Sequence, residues 1–327
     1  MIRVSRDAAA LEQLRTGATV VGSDAAIFRV TGPGAVPCLQ GLLTNDVDKP
    51  GPGVLAYAAL LTPKGMIVAD LWVLRDEEGF TLLTDPSARE AVRELFRRSM
   101  PPRLAQVTDL TGEWRAMLLL GAGSAAALPA AGLGPWPGPG RVAAQRWDGQ
   151  PVMVAGGTET AWFQSWVVTP AVAAGALLRN LLAAGVVEGE AGDAEAARIL
   201  AGWPRLGAEI SDKTLPQEVR YDEIGGVSYT KGCYTGQETV ARIHFRGHPN
   251  RELRGLLWDA GPVPEGDEVE SAERGEVGTI RSVLSVGARH LGLAVIRREV
   301  VPGATVTAGG RPAVVAALPF GPDAVTG

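Results

Sequence analysis

The densest group of chemically reactive side chains lies in residues 227–244, which read VSYTKGCYTGQETVARIH. Cys233 lies two residues after Lys231 and shortly before a segment whose pattern is typical of a helix. Unpaired N–H groups at a helix N-terminus and a nearby ammonium both favour the thiolate, which is the nucleophilic form of cysteine. A buried structural cysteine is the alternative, but the polar, glycine-rich surroundings favour a reactive Cys233 assisted by Lys231.

A carboxylate interrupts an apolar strand earlier in the chain. Asp70 lies within residues 66–74, MIVADLWVL, and is predicted to be a partly buried group with a raised pKa. Such a carboxyl group suits acid–base chemistry near neutral pH. Strand alternation alone equally allows a solvated position on the outer face of a sheet.

Other polar residues are weaker candidates by themselves. Asn45 and Asp46 follow a predicted helix and are expected either to form a turn or to bind a ligand. Glu238 and Arg242 are four residues apart on one predicted helical face, where a surface ion pair is the simplest explanation. Cys38 lies among apolar residues and is expected to pack in the core, and the three histidines are too scattered to predict a metal site.

Local sequence signals indicate which elements position the reactive segment. Residues 227–230 are predicted to form a strand, and Gly232 allows a tight turn. A helix is expected from about Gly236, with Thr235 and Glu238 spaced as a capping box. The segment is therefore predicted to be a strand–turn–helix with Cys233 in the turn.

The longer pattern predicts the fold class. A strand, a helix, a hairpin and a further helix follow one another loosely twice, which predicts an α+β fold with antiparallel sheets. The first hairpin comprises residues 54–61 and 66–74. The C-terminal sequence consists of short apolar strands separated by glycine and proline, typical of a small β-barrel or sandwich. We expect a body of two pseudo-repeated units over residues 1–247 and a C-terminal β-barrel over residues 248–327.

Composition excludes several classes of protein. The 327 residues are 46% hydrophobic and 20% charged, unlike a disordered chain. The net charge of −5 gives no strong nucleic-acid signal. Two cysteines predict neither a disulfide framework nor a four-cysteine cluster site. Residues 1–15 lack the apolar run of a secretory signal, and no stretch is long enough for a membrane span, so we expect a soluble, cytoplasmic protein.

These motifs resemble the YgfZ family of folate-binding proteins, which are relatives of the glycine-cleavage aminomethyltransferase. The signature KGCYTGQE is long and specific, and aminomethyltransferases normally lack a cysteine at position 233. The matching segments are KGCYTGQE at 231–238, VAR at 240–242, FRG at 245–247, LPQE at 215–218, GLLTNDV at 41–47 and LTPKG at 61–65.

The resemblance implies a fold, a cofactor and partners. It implies pseudo-repeated α+β units around a central opening, a C-terminal barrel, and a role with tetrahydrofolate in making or repairing iron–sulfur enzymes. Folate and iron–sulfur client proteins are then the expected partners. Cys233, Lys231 and Asp70 are the expected catalytic residues. The expected folate contacts are Asn45, Asp70, Tyr229, Gln237, Glu238 and Arg242.

Two positions depart from the family pattern. Aminomethyltransferases tend to carry paired aspartates where this chain has Ala69 and Asp70. Many relatives carry a glutamate, associated with pterin recognition, where this chain has Leu200. Leucine cannot accept the N–H bonds of a pterin, and an unmet buried donor costs about 1–3 kcal/mol. A neighbouring acceptor must therefore replace that glutamate, or folate binding is weakened.

Three functions follow from these features. The leading hypothesis is a tetrahydrofolate-linked accessory factor for iron–sulfur enzymes that uses Cys233. The first alternative is a tetrahydrofolate-dependent aminomethyl or one-carbon transferase, with Asp70 as its acid–base group. The second alternative is a non-catalytic module that binds a client protein.

Overall fold

Two mainly antiparallel β-sheets and a C-terminal β-barrel form the scaffold of the computed structural model, which describes residues 1–157, 163–321 and 324. The α-helices are α1 (Ala8–Thr16), α2 (Ala35–Gln40), α3 (Arg89–Ser99), α4 (Ser124–Ala130), α5 (Ala171–Ala183), α6 (Ala191–Ala201) and α7 (Gln237–Arg246), with short 3-10 helices at Pro86–Ala88 and Pro216–Val219. The strands of the body are β2 (Thr19–Ser23), β3 (Ala26–Thr31), β4 (Val54–Leu61), β5 (Ile67–Arg75), β6 (Gly79–Thr84), β7 (Gln106–Asp109), β8 (Trp114–Leu120), β9 (Val142–Trp147), β10 (Gln150–Gly156), β11 (Phe163–Pro170) and β12 (Val187–Glu188). The barrel sheet contains β1 (Ile2–Arg6), β13 (Arg251–Trp258), β14 (Glu268–Ser271), β15 (Gly275–Val286), β16 (Arg289–Arg297), β17 (Thr305–Ala308) and β18 (Arg311–Ala316).

The body repeats one arrangement of elements. A strand, a helix, a three-stranded meander, a second helix and a last strand occur first from β3 to β7 and again from β8 to β12. The first sheet has the order β4-β5-β6-β3-β7, and the second has the matching order β9-β10-β11-β8, followed by β2 and β12. The predicted α+β fold with pseudo-repeated units is confirmed.

Both faces of the first sheet are buried. On β4, Leu55, Tyr57 and Ala59 face a central core shared with the second sheet, whereas Ala58 and Leu60 face a second core under α2 and α3. This two-sided burial explains why β4 reads as a continuous apolar run rather than as an alternating strand. The second sheet is covered on its outer face by α4 and α5 in the same way.

The C-terminal strands close into a barrel through the pairing of β15 with β16. The strand β1 joins the same sheet and pairs in parallel with β15, from Ile2 opposite Ser282 to Arg6 opposite Val286. Neither β1 nor α1 is predicted from the sequence, because β1 is a short edge strand whose partner β15 lies almost the whole chain away. The predicted β-barrel is confirmed.

The segment around Cys233 differs from its prediction. Residues 227–230 form no strand, because their backbone runs beside residues 43–45 with the hydrogen bond from Ser228 N to Thr44 O rather than a ladder. The helix α7 begins at Gln237, one residue later than expected. The predicted capping box is wrong, because Gly236 is the N-cap, in the left-handed conformation with φ of 82°, and no side chain caps the helix.

Gly236 fits against the turn between β4 and β5. A Cβ atom on Gly236 would lie 2.6 Å from Thr62 O and 3.1 Å from Gly65 Cα. Gly65 also has a positive φ of 86°, and a Cβ there would lie 2.9 Å from Thr239 Cβ. The family segments at 61–65 and 231–238 therefore meet through two glycines that approach each other too closely for side chains.

We expect Gly236→Ala to lower the free energy of unfolding by about 2–4 kcal/mol, because it adds left-handed strain to a backbone clash. Gly232→Ala is the matched control, since a Cβ at Gly232 meets no atom within 4 Å. We expect that control to change stability by less than about 0.5 kcal/mol. Urea unfolding followed by circular dichroism measures both. Equal effects of the two substitutions would contradict the proposed glycine contact.

Candidate functional site

Lys231 holds the loop that carries Cys233 against residues 43–45, the segment that follows α2. Its side chain is only 7% exposed, and its ammonium donates to Leu43 O at 2.6 Å and to Asn45 O at 2.7 Å. The ammonium also lies 5.1 Å from the centroid of the Tyr234 ring, a cation–π arrangement. Burial lowers the pKa of Lys231 to about 8, partly opposed by the Asp46 carboxylate. The structure therefore brings the Lys231 and Asn45 segments together.

The side chain of Asn45 connects two backbone segments through hydrogen bonds. Its Nδ2 donates to Gly225 O at 2.7 Å and to Tyr57 O at 2.9 Å. The adjacent Thr44 hydroxyl donates to Gly226 O at 2.6 Å and accepts from Ala59 N at 2.8 Å. The side-chain amide of Asn45 thus joins β4 to the loop that leads to Cys233.

Cys233 is exposed at the surface. The backbone after it is held by the hydrogen bond from Thr235 N to Gly41 O at 3.1 Å. Gly232 borders open space, and the nearby Lys231 ammonium is directed at two carbonyl oxygens. The structure presents the thiol on a fixed loop that a partner molecule can reach.

Tyr229 belongs to a separate polar and aromatic cluster. Its hydroxyl donates a short hydrogen bond to Asp222 Oδ1 and accepts one from Gln217 Nε2 at 3.0 Å. Its ring stacks on His244 with centroids 3.6 Å apart, and His244 Nδ1 lies 3.3 Å from Asp222 Oδ2. Burial, together with the bond to Asp222, raises the pKa of Tyr229. No spacing in the sequence indicates that Asp222 and Gln217 join this cluster.

Three further residues predicted to contact folate lie on α7. Gln237 is half-buried, and Glu238 and Arg242 are exposed. Within the described part of the chain, no ion pair within 4 Å joins Glu238 to Arg242, so the expected surface pair does not form.

Asp70 lies apart from these residues, on the inner face of β5. Tyr57 Oη donates to its Oδ2 at 2.9 Å, and Tyr221 Oη lies 3.3 Å from Tyr57 Oη. Asp70 Oδ1 is buried and has no hydrogen-bond partner in the described chain. Burial raises the pKa of Asp70 to about 6, as the interrupted apolar strand predicts.

A cavity of about 530 Å³ opens beside Asp70, between the two sheets and α6. Trp72, Trp166 and Trp203 line it, and the rings of Trp72 and Trp203 stack with centroids 5.2 Å apart. Trp166 Nε1 is buried and makes no hydrogen bond to the described residues. These tryptophans are not predicted as site residues, because they lie on separate elements and share no sequence motif.

The cavity does not extend to the loop that carries Cys233. Neither Asn45 nor any residue of 227–242 lines it. Tyr57 connects the two regions, because its hydroxyl bonds to Asp70 and its carbonyl oxygen accepts from Asn45. The structure thus separates Asp70 from the other predicted site residues and links them through one tyrosine.

Charged groups on one wall of the cavity are tied to the barrel. Arg198 donates to Glu195 Oε2 at 2.8 Å and to the fully buried Glu209 at 2.9 Å. Glu209 also accepts from Ser282 Oγ of β15 at 2.5 Å. Although burial alone would raise the pKa of Glu195, Arg198 and Arg205 lower it. The wall is therefore held in place by a buried ion-pair network.

Leu200 is fully buried in the central core and does not line the cavity. The cavity offers other polar groups, namely the unpaired Asp70 Oδ1 as acceptor and Trp166 Nε1 as donor. Together with the tryptophan walls, they suit a flat heteroaromatic ring that carries N–H groups and ring acceptors. These residues fit the pterin of a folate.

Two absences bear on the site. Within the described residues, no group of three or more His, Cys, Asp or Glu side chains is placed to hold a metal ion. The helices of the same residues include none that is long and apolar enough to cross a membrane.

Comparisons with protein families match both parts of the chain. Residues 7–132 match the GCVT N-terminal domain, and residues 253–320 match the CAF17 C-terminal beta-barrel domain.

Individual relatives agree with these matches. The tRNA-modifying protein YgfZ of Escherichia coli strain E24377A is 30% identical over 262 residues, which cover 77% of this chain and 76% of that protein. The protein of the same name from Escherichia fergusonii matches to the same extent. The crystal structure of glycine cleavage system aminomethyltransferase T from Bartonella henselae has a TM-score of 0.82 at 22% identity, with coverage of 96% of this chain and 89% of that one. This likeness shows that the fold is shared.

The burial of Lys231 predicts a pH dependence of stability. The pKa of Lys231 is about 8 in the folded chain and about 10.4 in the unfolded chain. Between these pH values the unfolded state binds more protons than the folded state. The free energy of unfolding therefore rises with pH over this range. From pH 8 to 9.5 we expect wild type to gain about 1 kcal/mol relative to Lys231→Met, after allowance for solvent screening. Urea unfolding at both pH values measures the difference. Lys49→Met, at an exposed lysine, should keep the wild-type dependence, and an unchanged slope in Lys231→Met would refute the assignment.

Proposed function

Because the chain belongs to the family of the tRNA-modifying protein YgfZ, we propose that it is a cytoplasmic, tetrahydrofolate-linked accessory factor for iron–sulfur enzymes. The factor serves their assembly or repair, and Cys233 is its reactive group. The observation that carries the folate part is the tryptophan-lined cavity with the unpaired Asp70 oxygen. A bound tetrahydrofolate supplies the ability to carry or accept a one-carbon unit.

The residues of the cavity have separate roles in this proposal. The tryptophans stack on the pterin and exclude water from it. Asp70 accepts an N–H bond as the carboxylate, and its raised pKa allows it to hold a proton near neutral pH. Arg205 is 42% exposed at the side chain and lies at the cavity, where it suits a carboxylate of the glutamyl tail.

Cys233 serves the client rather than the folate. The thiol is exposed and does not line the cavity, so a protein that carries an iron–sulfur cluster can reach it from solvent. The loop that presents the thiol is fixed by the hydrogen bonds of Lys231 and Asn45 and by the contact of Gly236 with the turn at Gly65. The cluster is the cargo of the reaction, since one chain with a single exposed cysteine cannot hold it alone.

A transferase is the second candidate function. The buried Asp70, with its pKa near 6, is suited to move a proton during one-carbon transfer on a folate. In that case Cys233 has no role in the chemistry. The same cavity serves both functions, so variants at the two sites must separate them.

We expect tetrahydrofolate to bind at pH 7.5 and to bind more weakly below pH 6, because protonation of Asp70 removes the negative acceptor. Asp70→Asn should weaken binding about tenfold, the equivalent of about 1.4 kcal/mol, and flatten the dependence between pH 5 and 7. Isothermal titration calorimetry measures both effects. Asp24→Asn is the matched control, since Asp24 also lines the cavity but is exposed. Absence of binding at millimolar tetrahydrofolate would rule out the folate assignment.

The roles of Cys233 and Asp70 separate the candidate functions. In cells that depend on this protein, Cys233→Ser should lower the activity of iron–sulfur enzymes and the level of modified tRNA nucleosides, whereas Cys38→Ser should not. Enzyme assays in extracts and mass spectrometry of digested tRNA measure these outcomes. Loss in Asp70→Asn alone would favour the transferase. Full function of both variants would favour a module that only binds a client.

A further inference from the structure

Phe245 is the aromatic residue that the described part of the chain exposes most widely, at 66%. It lies on α7, which follows the loop that carries Cys233. An isolated exposed apolar residue needs no explanation, but this ring belongs to an ordered aromatic cluster. Its ring meets that of His244 edge to face at 4.7 Å and that of Tyr229 at 5.8 Å.

The cluster is held rigidly before any partner binds. Tyr229 and His244 stack in parallel at 3.6 Å, and both are bonded to Asp222. Gln217, which is 9% exposed, donates to the Tyr229 hydroxyl and to Val240 O of α7. Rings fixed in this way lose little conformational freedom when a flat group stacks on them.

Two arginines lie next to Phe245 on α7 and form no ion pair among the described residues. Arg242 and Arg246 lie at i−3 and i+1 from Phe245 on α7, and no ion pair within 4 Å is formed by either in the described structure. By contrast, α3 pairs its exposed arginines with glutamates; these pairs are Arg93–Glu90, Arg97–Glu94 and Arg98–Glu94. The α7 cations are therefore free to meet an outside anion.

Two lysines extend the positive charge to the other side of the loop. Lys49 Nζ lies 3.4 Å from Thr230 O, and Lys64 precedes the Gly65 that packs against α7. Both side chains are exposed, and neither forms an ion pair among the described residues. With the buried Lys231, three of the four lysines of this net-negative chain lie at one face.

Acidic groups offset part of that charge, since Asp46 interacts electrostatically with Lys49 and with Lys231, whereas Arg242, Arg246 and Lys64 form no ion pair among the described residues. Asp222 is bonded to Tyr229 and His244, and Glu223 pairs with Arg220 at 2.9 Å. Glu238 and Asp48 are the exposed acids closest in sequence to the cations.

We propose that the loop 227–236 and α7 form a binding surface for single-stranded RNA. Phe245 stacks on an unpaired base, and Arg242, Arg246, Lys49 and Lys64 contact phosphates. Stacking rings flanked by spaced cations are the recurring chemistry of single-strand recognition, whereas an acidic protein segment would need the charges but not the flat rings. This inference goes beyond the proposed function, because it requires neither folate nor the thiol of Cys233.

Fluorescence anisotropy with a 5′-fluorescein-labelled uridine decamer tests the surface at 50 to 200 mM KCl. We expect binding whose logarithmic salt slope lies at about −2 to −3, from about 0.7 per phosphate contact. Phe245→Ala should weaken binding about 5- to 100-fold with an unchanged slope, because it removes stacking only. The double variant Arg242→Gln, Arg246→Gln should reduce the slope by about 1.4.

Matched controls lie around the start of α5. Val172, which is 82% exposed, and the exposed Arg115 present an apolar side chain and an arginine away from α7. Val172→Ala and Arg115→Gln should bind the decamer as wild type does, and circular dichroism should show all variants folded. No binding by wild type up to 1 mM protein, or equal losses in the controls, would overturn the proposal. Equal affinity for an RNA duplex would overturn the stacking role. Displacement of the decamer by oligoglutamate, with no effect of Phe245→Ala, would instead assign the face to an acidic protein.

Discussion

A buried ammonium bonded to backbone carbonyls organises the candidate site. The buried ammonium of Lys231 donates to two carbonyl oxygens, Leu43 O and Asn45 O, and no carboxylate of the described residues lies within 4 Å of it. A buried charge costs folding free energy unless its N–H donors are hydrogen-bonded. The folded state therefore favours a backbone that keeps both carbonyl oxygens in contact with the ammonium. A compact ammonium suits two converging carbonyl oxygens, whereas the planar guanidinium of arginine suits carboxylates and phosphates. The loop that presents Cys233 therefore depends on a contact formed 188 residues away in the chain.

One wall of the cavity is held by a second buried network, in which an arginine and a glutamate form an ion pair. Glu209 is fully buried and receives Arg198 and Ser282, so its charge is paired and its remaining lone pairs are used. Removal of one partner from such a pair leaves an uncompensated charge, which is far more costly than the pair itself. Since Ser282 belongs to the barrel, the barrel supports the cavity wall and not merely the C-terminus. The body and the barrel are thereby joined by buried hydrogen bonds of Ser282 to Glu209 and to Arg198.

The sequence predicts those features that depend on local periodicity. The hairpin strands predicted at residues 54–61 and 66–74 agree with β4 and β5 to within one residue, because apolar spacing reports which face is buried. The raised pKa of Asp70 is also predicted from the sequence, because this residue interrupts an apolar strand. The capping box fails, because the place of Thr235 is taken by Gly236, whose conformation is dictated by the turn at Thr62 and not by its neighbours in sequence. The tryptophan walls and Glu209 carry no local signal at all, since tertiary contacts alone bring them together.

The separation of Asp70 from Cys233 determines which chemistry the fold can perform. The cavity beside the buried Asp70 oxygen has the size and lining for a small flat ligand, whereas the Cys233 thiol is exposed at the surface. Desolvation raises the pKa of Asp70, whereas Cys233 lies at the surface, so the two groups stand in different environments. Tyr57 joins the two sites, with its hydroxyl on Asp70 and its carbonyl oxygen on Asn45. Asn45 in turn donates to Gly225 O, so a continuous set of hydrogen bonds through one strand residue connects the cavity with the segment that leads to Cys233, while the two groups remain apart.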